Sequence, residues 1–300
     1  MRKILVLRGG ALGDFIVTLP ALALLRGRWP SARIELAGNA TAGALARDHG
    51  LLDAVHSQHE ARWAALFDPA PLPAEFARWL GGFDLVLNFW PDPDGALRSK
   101  FPRRADQMFL HGEAHPTHAP AAAHYCEALR PLGLTTSEFC FRISPPARPI
   151  RRVAIHPGSG SPLKNWPLDR WTALAQWLVR EQRCELCVVT GEAEPEAARS
   201  LGRFGRSLHS LSLGELAREL SQCRLLIGHD SGVTHLASMM SVPCVALFGP
   251  TDPAIWAPPG PAVHVIQRDR DLRLISVDVV QEAIGRILKN SAGQIGHALS

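Results

Sequence analysis

Short, uninterrupted apolar runs alternate with longer amphipathic stretches along the first half of the chain. The runs are Lys3–Arg8, Arg33–Ala37 and Phe83–Asn88. Runs of this kind are typical of strands that are covered on both faces, as in a parallel sheet. Helix-like stretches lie between them at about 14–29 and 41–49. Because crossovers between parallel strands are right-handed, this βαβ alternation predicts an open parallel sheet with helices on both faces.

The second half of the chain repeats this plan. Its strand candidates are Arg152–His156, Glu185–Thr190, Arg224–Gly228 and Val242–Phe248. Helical patterns lie between them at about 168–181, 195–204, 213–222 and 233–240. A final amphipathic stretch, Val277–Lys289, could close the second domain or cross back to the first. The repeated plan predicts an α/β protein of two Rossmann-like halves with a cleft between them.

The chain length also suits two domains, since a typical domain has about 150 residues and this chain has 300. The segment Ser144–Pro149 interrupts all periodicity with prolines and is typical of a stiff linker. We therefore expect an N-terminal domain at 1–147 and a C-terminal domain at 151–275. A C-terminal helix is expected at 276–290 and a frayed tail at 291–300.

Charge and cysteine content exclude several classes of protein. The 32 lysine and arginine residues nearly balance the 28 acidic residues, which is too even for a dedicated nucleic-acid binder. The six scattered cysteines do not resemble a disulfide framework. The apolar run after the basic start is only Ile4–Leu7, and Phe15–Leu25 is shorter than the ~18 apolar residues of a membrane span. A cytoplasmic protein without a nucleic-acid partner is expected.

The first candidate site is the loop Arg8–Asp14, with the sequence RGGALGD. Ligands in open α/β sheets bind beyond the carboxyl ends of the strands, and glycines let the backbone turn tightly there. Asp14 offers a carboxylate at a helix start, although capping that helix is an alternative role. A dinucleotide fingerprint is not matched, because the glycines lack the G-x-G-x-x-G spacing and the second strand ends without an acidic residue.

Two further loops have features of phosphate sites. The segment His156–Ser161 (HPGSGS) offers backbone N–H groups, and Lys164 follows it as a cation, although no Walker sequence is present. The segment Gly228–His235 (GHDSGVTH) places Asp230 and Ser231 at a predicted helix N-terminus, which favours a diphosphate. A nucleophilic serine is disfavoured because the G-x-S-x-G elbow is absent. Capping of the helix is the alternative role for Asp230 or Ser231.

Taken together, these loops resemble glycosyltransferase family 9, the ADP-heptose:lipopolysaccharide heptosyltransferases and their relatives. The motifs in chain order are Ala11–Asp14 with Leu19–Leu22, Pro157–Gly158 with Lys164–Pro167, Asp230–Ala237, and Phe248–Thr251 with Trp256–Pro258. The resemblance implies the GT-B fold, in which two Rossmann-like domains have parallel sheets that face across a cleft. It also implies inverting, metal-independent transfer of heptose from ADP-heptose to a lipopolysaccharide-core or related glycan acceptor, without a cofactor.

The resemblance assigns roles to individual residues. Asp14 would be the general base, and Lys164 would stabilise the diphosphate leaving group. The implied donor-binding set is Gly158, Ser159, Lys164, Glu194, Glu196, Asp230, Ser231, Gly232 and His235. Glu192, Glu194 and Glu196 are alternatives for the contact to the ribose, with Glu196 preferred and Glu194 next. The implied acceptor-binding set is Gly13, Asp14, Arg98 and Lys100.

Several weaker signals have two interpretations each. The basic residues Arg98, Lys100, Arg103 and Arg104 form either a solvated face or a patch for an anionic acceptor or lipid phosphates. The latter leaves peripheral contact with the inner membrane open. Asp92-Pro-Asp94 mimics a D-x-D metal motif, but its prolines favour a solvated turn. The histidines between 111 and 124 favour a surface loop over a metal site, and Cys184 and Cys187 would face opposite sides of a strand.

Two other functions remain open at this point. The same fold could use another nucleotide sugar or a protein hydroxyl as acceptor. A non-catalytic module that binds a nucleotide sugar is the alternative from a different class. The segment Phe89–Gly95 is not among the motifs that carry the resemblance.

Overall fold

The computed structural model describes residues 1–102, 104–143, 151–260 and 262–296, with side chains to residue 289. The chain divides into two compact units, Met1–Phe141 (unit 1) and Arg142–Ser300 (unit 2). The predicted linker at 144–149 and the last four residues of the predicted tail lie outside the described residues. The domain limits at 147 and 151 therefore stay predictions.

Unit 1 is a five-stranded parallel sheet with the strand order β3-β2-β1-β4-β5. The strands are β1 (Lys3–Arg8), β2 (Arg33–Gly38), β3 (Ala54–Ser57), β4 (Leu85–Asn88) and β5 (Met108–His111). The helices are α1 (Leu12–Ile16), α2 (Leu19–Arg28), α3 (Ala40–Asp48), α4 (Ala74–Leu80), α5 (Ala96–Lys100) and α6 (Ala121–Glu127). The parallel sheet predicted for the first half is confirmed.

The helix predicted at 14–29 is two helices, α1 and α2. Pro20 has no N–H group, so a continuous helix could not form the hydrogen bond from residue 20 to residue 16. Thr18 lies at the break, and its hydroxyl donates to the Asp14 carbonyl at 2.9 Å. The chain therefore turns at Thr18 directly after the segment that carries Asp14.

Unit 2 is a six-stranded parallel sheet with the strand order β11-β10-β9-β6-β7-β8. The strands are β6 (Arg152–Ile155), β7 (Glu185–Thr190), β8 (Arg206–His209), β9 (Cys223–His229), β10 (Cys244–Phe248) and β11 (Val263–Gln267). The helices are α7 (Leu168–Arg180), α8 (Pro195–Leu201), α9 (Leu213–Ser221), α10 (Gly232–Met239), α11 (Pro253–Trp256) and α12 (Val277–Gly296). The repeated plan predicted for the second half is also confirmed.

The last helix is longer than predicted. It continues from Val277 to Gly296, through six residues that were expected to be frayed. Its apolar face includes Val280, Ile284 and Leu288, which belong to the core of unit 2. The helix therefore closes the second unit.

The strands at the sheet edges were not predicted from the sequence. All four of them (β3, β5, β8 and β11) are only partly buried, whereas the central strands β1 and β9 are buried along most of their length. An edge strand packs against one neighbour and faces solvent, so its sequence lacks a continuous apolar run. Only the inner strands could be recognised from the sequence, because they are buried on both faces and form continuous apolar runs.

The two strand orders define where a ligand is expected. In unit 1 the chain crosses in opposite directions from β1 and β4, and in unit 2 it does so from β6 and β9. Crevices form at such switch points, beyond the carboxyl ends of the strands. Three of the four loops that leave these strands are the predicted candidate loops, and the fourth is Phe89–Gly95. In the described part of the chain, every helix is too short or too polar to span a bilayer.

A buried carboxylate interrupts the apolar core of unit 1. Glu35 on β2 is 3% exposed and accepts hydrogen bonds from Arg33 Nε and His56 Nε2, each at 2.7 Å. Arg62 Nη2 donates to the other ring nitrogen of His56 at 2.8 Å. Burial raises the pKa of Glu35, but these hydrogen bonds outweigh it and hold the pKa at about 2.

We expect Glu35→Gln to lower the free energy of unfolding at pH 7 by about 2 kcal/mol, because it removes charge-assisted hydrogen bonds. The folded-state pKa lies below the unfolded one, so the stabilisation is complete above pH 4.5 and is lost as the pH falls towards 2. Urea unfolding at pH 7 and pH 3 measures this, with the exposed Glu75→Gln as control. An equal difference at both pH values would contradict the account.

Candidate active site

The predicted base, Asp14, lies in the first helix of unit 1, directly beyond the carboxyl end of β1. Ala11 is the N-cap of α1, and Asp14 is the third helical residue. Its Oδ2 accepts the N–H of Ala11 at 3.0 Å, and its Oδ1 accepts no hydrogen bond from the described residues. Gly10 has φ +100°, and a Cβ there would contact the Asp14 side chain. Asp14 is therefore not an N-cap, and one of its oxygens is available to a ligand.

A buried arginine fixes the backbone of this loop. Arg8 is 4% exposed and donates to the Asp14 carbonyl and the Tyr125 hydroxyl, both at 2.8 Å. It also donates to Thr18 Oγ1 and the Ala114 carbonyl. Burial lowers the pKa of Arg8 and raises that of Tyr125. The guanidinium thus joins α1, α2 and α6 beside the predicted base.

The other predicted acceptor residues lie on two helices that follow the neighbouring strands β1 and β4. Gly13 is in α1, while Arg98 and Lys100 are in α5. Arg98 is exposed and lies over the Phe109 ring, 5.8 Å from its centre. Lys100 Nζ donates to the Ala70 carbonyl at 2.6 Å. Lys100 therefore fixes a neighbouring loop, which is a structural role that the sequence did not indicate.

The weaker sequence signals in unit 1 have structural explanations. Asp92 accepts the N–H groups of Leu97 and Arg98, so it caps α5 in the turn that the prolines predicted. Arg104 pairs with Asp84 and Asp106, and Arg103 lies outside the described residues. Within the described residues, no group of three His, Cys, Asp or Glu side chains is arranged to hold a metal ion.

The expectation of surface-loop histidines is wrong for His124. This residue is 7% exposed on the inner side of α6. Its Nε2 lies 3.0 Å from the Glu113 carbonyl, and its ring contacts the ring of Tyr125. His124 is buried because it lies on the face of α6 that packs on the core. The Pro- and Ala-rich sequence around it did not indicate this helix face.

In unit 2, the loop after β6 lies against Glu194. A Cβ at Gly158 would overlap the Glu194 carboxylate, so any larger residue there would displace the Glu194 side chain. Glu194 is the N-cap residue of α8, and its Oε2 accepts the N–H of Gly191 at 2.7 Å. Glu192 and Glu196 are both exposed. Of the three alternatives for the ribose contact, only Glu194 reaches the predicted donor loop, whereas Glu196 was preferred on the sequence alone.

Lys164 and Asp230 form an ion pair at the carboxyl ends of the strands. Lys164 Nζ lies 2.8 Å from Asp230 Oδ2, and their side chains are 26% and 9% exposed. Thr251 Oγ1 donates to the same oxygen at 2.8 Å. Asp230 therefore holds Lys164 and Thr251 in place. Thr251 had no predicted role, although it belongs to the quoted motif Phe248–Thr251.

The N-terminus of α10 lies beside this pair. Ser231 is the N-cap, and its hydroxyl oxygen accepts the N–H of Thr234 at 3.4 Å. The N–H groups of Gly232 and Val233, in the first turn, donate to no described residue. His235 is buried within the same helix. Ser231 is thus the capping residue of this loop, while the free N–H groups of the helix are what could bind an anion.

The hydroxyl of Ser159 is occupied within its own loop. It lies 2.7 Å from both the Ser161 carbonyl and Asn165 Oδ1. His156, at the start of the loop, is buried, and its Nδ1 lies 3.1 Å from the Val189 carbonyl. Burial lowers the pKa of His156. Ser159 therefore stabilises the bend of the loop that was predicted to bind the donor.

A fully buried histidine, which the sequence did not single out, connects these loops. His229 accepts the N–H of Trp166 at Nε2, 2.8 Å away. Its Nδ1 must then carry the proton, which it donates to the Gly158 carbonyl at 3.2 Å. Burial lowers the pKa of His229 to about 3, so the ring is neutral at pH 7. A proton on Nε2 would face the Trp166 N–H and break this connection.

We expect the stability of the protein to fall as the pH drops below 6.5, because His229 is protonated more easily in the unfolded chain. With a folded-state pKa of about 3, this residue costs about 2 kcal/mol between pH 7 and pH 5. Its replacement, His229→Gln, should lower the stability at pH 7 and flatten the decline. Urea unfolding at both pH values measures the slope, with the exposed His264→Gln as control. An unchanged slope in His229→Gln would contradict the assignment.

Comparisons with known proteins agree with the geometry. Residues 139–273 match the model of "Glycosyltransferase family 9 (heptosyltransferase)". Lipopolysaccharide heptosyltransferase 1 of Salmonella typhimurium is 24% identical over 290 residues, which covers 84% of this chain and 90% of that protein. Lipooligosaccharide heptosyltransferase 2 of Haemophilus ducreyi is 29% identical over 43% of this chain. The chain spans only 40% of the length of that second relative.

A solved structure shows the same fold. The heptosyltransferase WaaC of Escherichia coli, solved with ADP, superposes with a TM-score of 0.76 at 18% identity. The match covers 95% of this chain and 99% of that one. The two parallel α/β units and this likeness confirm the predicted GT-B class of fold. The predicted resemblance to glycosyltransferase family 9 is confirmed over residues 139–273, which include the Lys164 and Asp230 loops.

Proposed function

We propose that this protein is an inverting, metal-independent glycosyltransferase that transfers heptose from ADP-heptose to a lipopolysaccharide-core or related glycan acceptor. Unit 2 would bind the donor, and unit 1 would bind the acceptor. The observation that carries the proposal is the cation at Lys164 beside the open N-terminus of α10, at the switch point of a parallel sheet. ADP is the nucleotide bound in the solved relative WaaC.

The groups of unit 2 suit a nucleoside diphosphate. The N–H groups of Gly232 and Val233 and the positive end of the helix dipole would bind phosphate oxygens. Lys164 would offset the charge that develops on the leaving diphosphate. Asp230 is itself anionic, so we assign it to hold Lys164 instead of contacting phosphate. Glu194 would accept hydrogen bonds from the ribose hydroxyls.

The transfer step would need a base in unit 1. Asp14 would take the proton of an acceptor hydroxyl as its oxygen bonds to the anomeric carbon of the donor. The bond from that carbon to the diphosphate oxygen breaks in the same step, and ADP leaves with the electron pair. Attack from the face opposite the leaving group inverts the configuration. Arg98, which is exposed, would meet negative charges of the acceptor.

We expect Asp14→Asn to lower kcat by a factor of about 10² to 10⁴, because the amide cannot take the proton. The amide oxygen can still accept the N–H of Ala11, so the fold and the ADP affinity should be retained. ADP release during transfer measures kcat, and calorimetry measures ADP binding. The exposed Asp48→Asn is the matched control. Full turnover by Asp14→Asn would refute its role as base.

We expect Glu194→Gln to raise the Kd for ADP about tenfold, because it weakens charge-assisted hydrogen bonds to the ribose. Glu196→Gln, two residues further on, should leave the Kd unchanged. The wild type should also bind ADP more tightly than its 2′,3′-dideoxy analogue, and Glu194→Gln should lose most of that preference. Titration calorimetry of both nucleotides measures this. A larger loss of ADP affinity in Glu196→Gln than in Glu194→Gln would assign the ribose contact to Glu196 instead.

A further inference from the structure

The loop after β4 occupies the fourth switch-point position, and the motifs of the family did not account for it. Its second residue, Trp90, is 7% exposed. The fully buried Asn88 fixes Trp90, because its amide accepts the Trp90 N–H at 2.9 Å and donates to the Trp90 carbonyl at 3.2 Å. The backbone of Trp90 is therefore held in one position.

The indole N–H of Trp90 has no partner among the described residues, although the rest of the ring is packed. It lies close to Gly9, in the loop that leads to Asp14. A Cβ at Gly9 would lie 3.6 Å from Trp90 Nε1 and 3.0 Å from Gln58 Oε1. The bare backbone of Gly9 thus lies next to a hydrogen-bond donor and an acceptor. The next residue, Gly10, lies against the Asp14 side chain.

An exposed aromatic ring, that of Phe67, lies next to Trp90. Phe67 is 62% exposed, and its ring lies 6.4 Å from that of Trp90 at an interplanar angle of 31°. The preceding 3₁₀ helix, Ala61–Leu66, is anchored by the buried Trp63 and Leu66. Lys100 holds the following segment through the Ala70 carbonyl. A large apolar ring is therefore presented to solvent by a fixed backbone.

We propose that Phe67, Trp90 and Gln58 form a subsite for a pyranose ring of the acceptor, which rests on the proposed function. The apolar face of the sugar would lie on Phe67. One hydroxyl would accept from the Trp90 indole, and another would donate to Gln58. A lipid acyl chain fits less well, because it would leave the indole N–H and the amide oxygen without hydrogen bonds.

The subsite makes a specific prediction for a soluble, deacylated lipopolysaccharide-core oligosaccharide. Phe67→Leu keeps an apolar side chain but removes the flat ring, and Trp90→Phe keeps a ring but removes the N–H. Each should raise the KM for this acceptor about five- to tenfold, the effect of one lost contact of about 1 kcal/mol. The Kd for ADP should change less than twofold. Leu274→Ser, at an apolar residue of similar exposure on unit 2, is the control.

Saturation-transfer NMR with the same oligosaccharide tests binding without catalysis. We expect the transfer to ring C–H protons in the wild type to fall in Phe67→Leu and in Gln58→Leu, a variant that leaves the buried Trp90 intact. Absence of transfer in the wild type, or an unchanged acceptor KM in Phe67→Leu, would overturn the subsite. Loss of binding to phosphatidylglycerol vesicles in Phe67→Leu, with an unchanged acceptor KM, would also overturn the subsite. It would make Phe67 a membrane contact. ADP titration distinguishes failure of the donor assignment from failure of this subsite.

Discussion

The donor half of the candidate site depends on one neutral imidazole. His229 ends β9, receives the N–H of Trp166 and donates to the carbonyl of Gly158. These two partners belong to the loop that carries Lys164, and the residue after His229 is Asp230. The ion pair between Lys164 and Asp230 therefore forms between two segments that the imidazole has already brought together. Because burial keeps the ring neutral, one nitrogen can accept while the other donates.

In unit 1, too, a buried side chain fixes the loops beyond the sheet, but there it is charged. Arg8 ends β1 and is buried, and its donors reach the backbone of Asp14 and two neighbouring helices. In both units, the last residue of a central strand fixes the loops beyond it. The side chains that we propose to face a ligand, Asp14 and Lys164, are thus supported by buried neighbours that do not need to touch it.

The sequence predicted the central strands and three of the four switch-point loops, because burial on both faces and glycine-rich turns leave clear patterns. It missed the edge strands, whose half-exposed sequences resemble loops. It could not separate Glu194 from Glu196, because the choice depends on the close approach of Gly158, a contact 36 positions away along the chain. The proposed subsite with Phe67 and Trp90 could not be predicted from the sequence either, since only the fold brings the two rings together.

A crystal structure of the protein with ADP would test the central claim most directly. We expect diphosphate oxygens within hydrogen-bond distance of the N–H groups of Gly232 and Val233 and of Lys164 Nζ. We also expect a ribose hydroxyl on Glu194, with the hydrogen bonds of His229 intact. ADP bound away from the N-terminus of α10, or with its ribose on Glu192 or Glu196, would contradict the account.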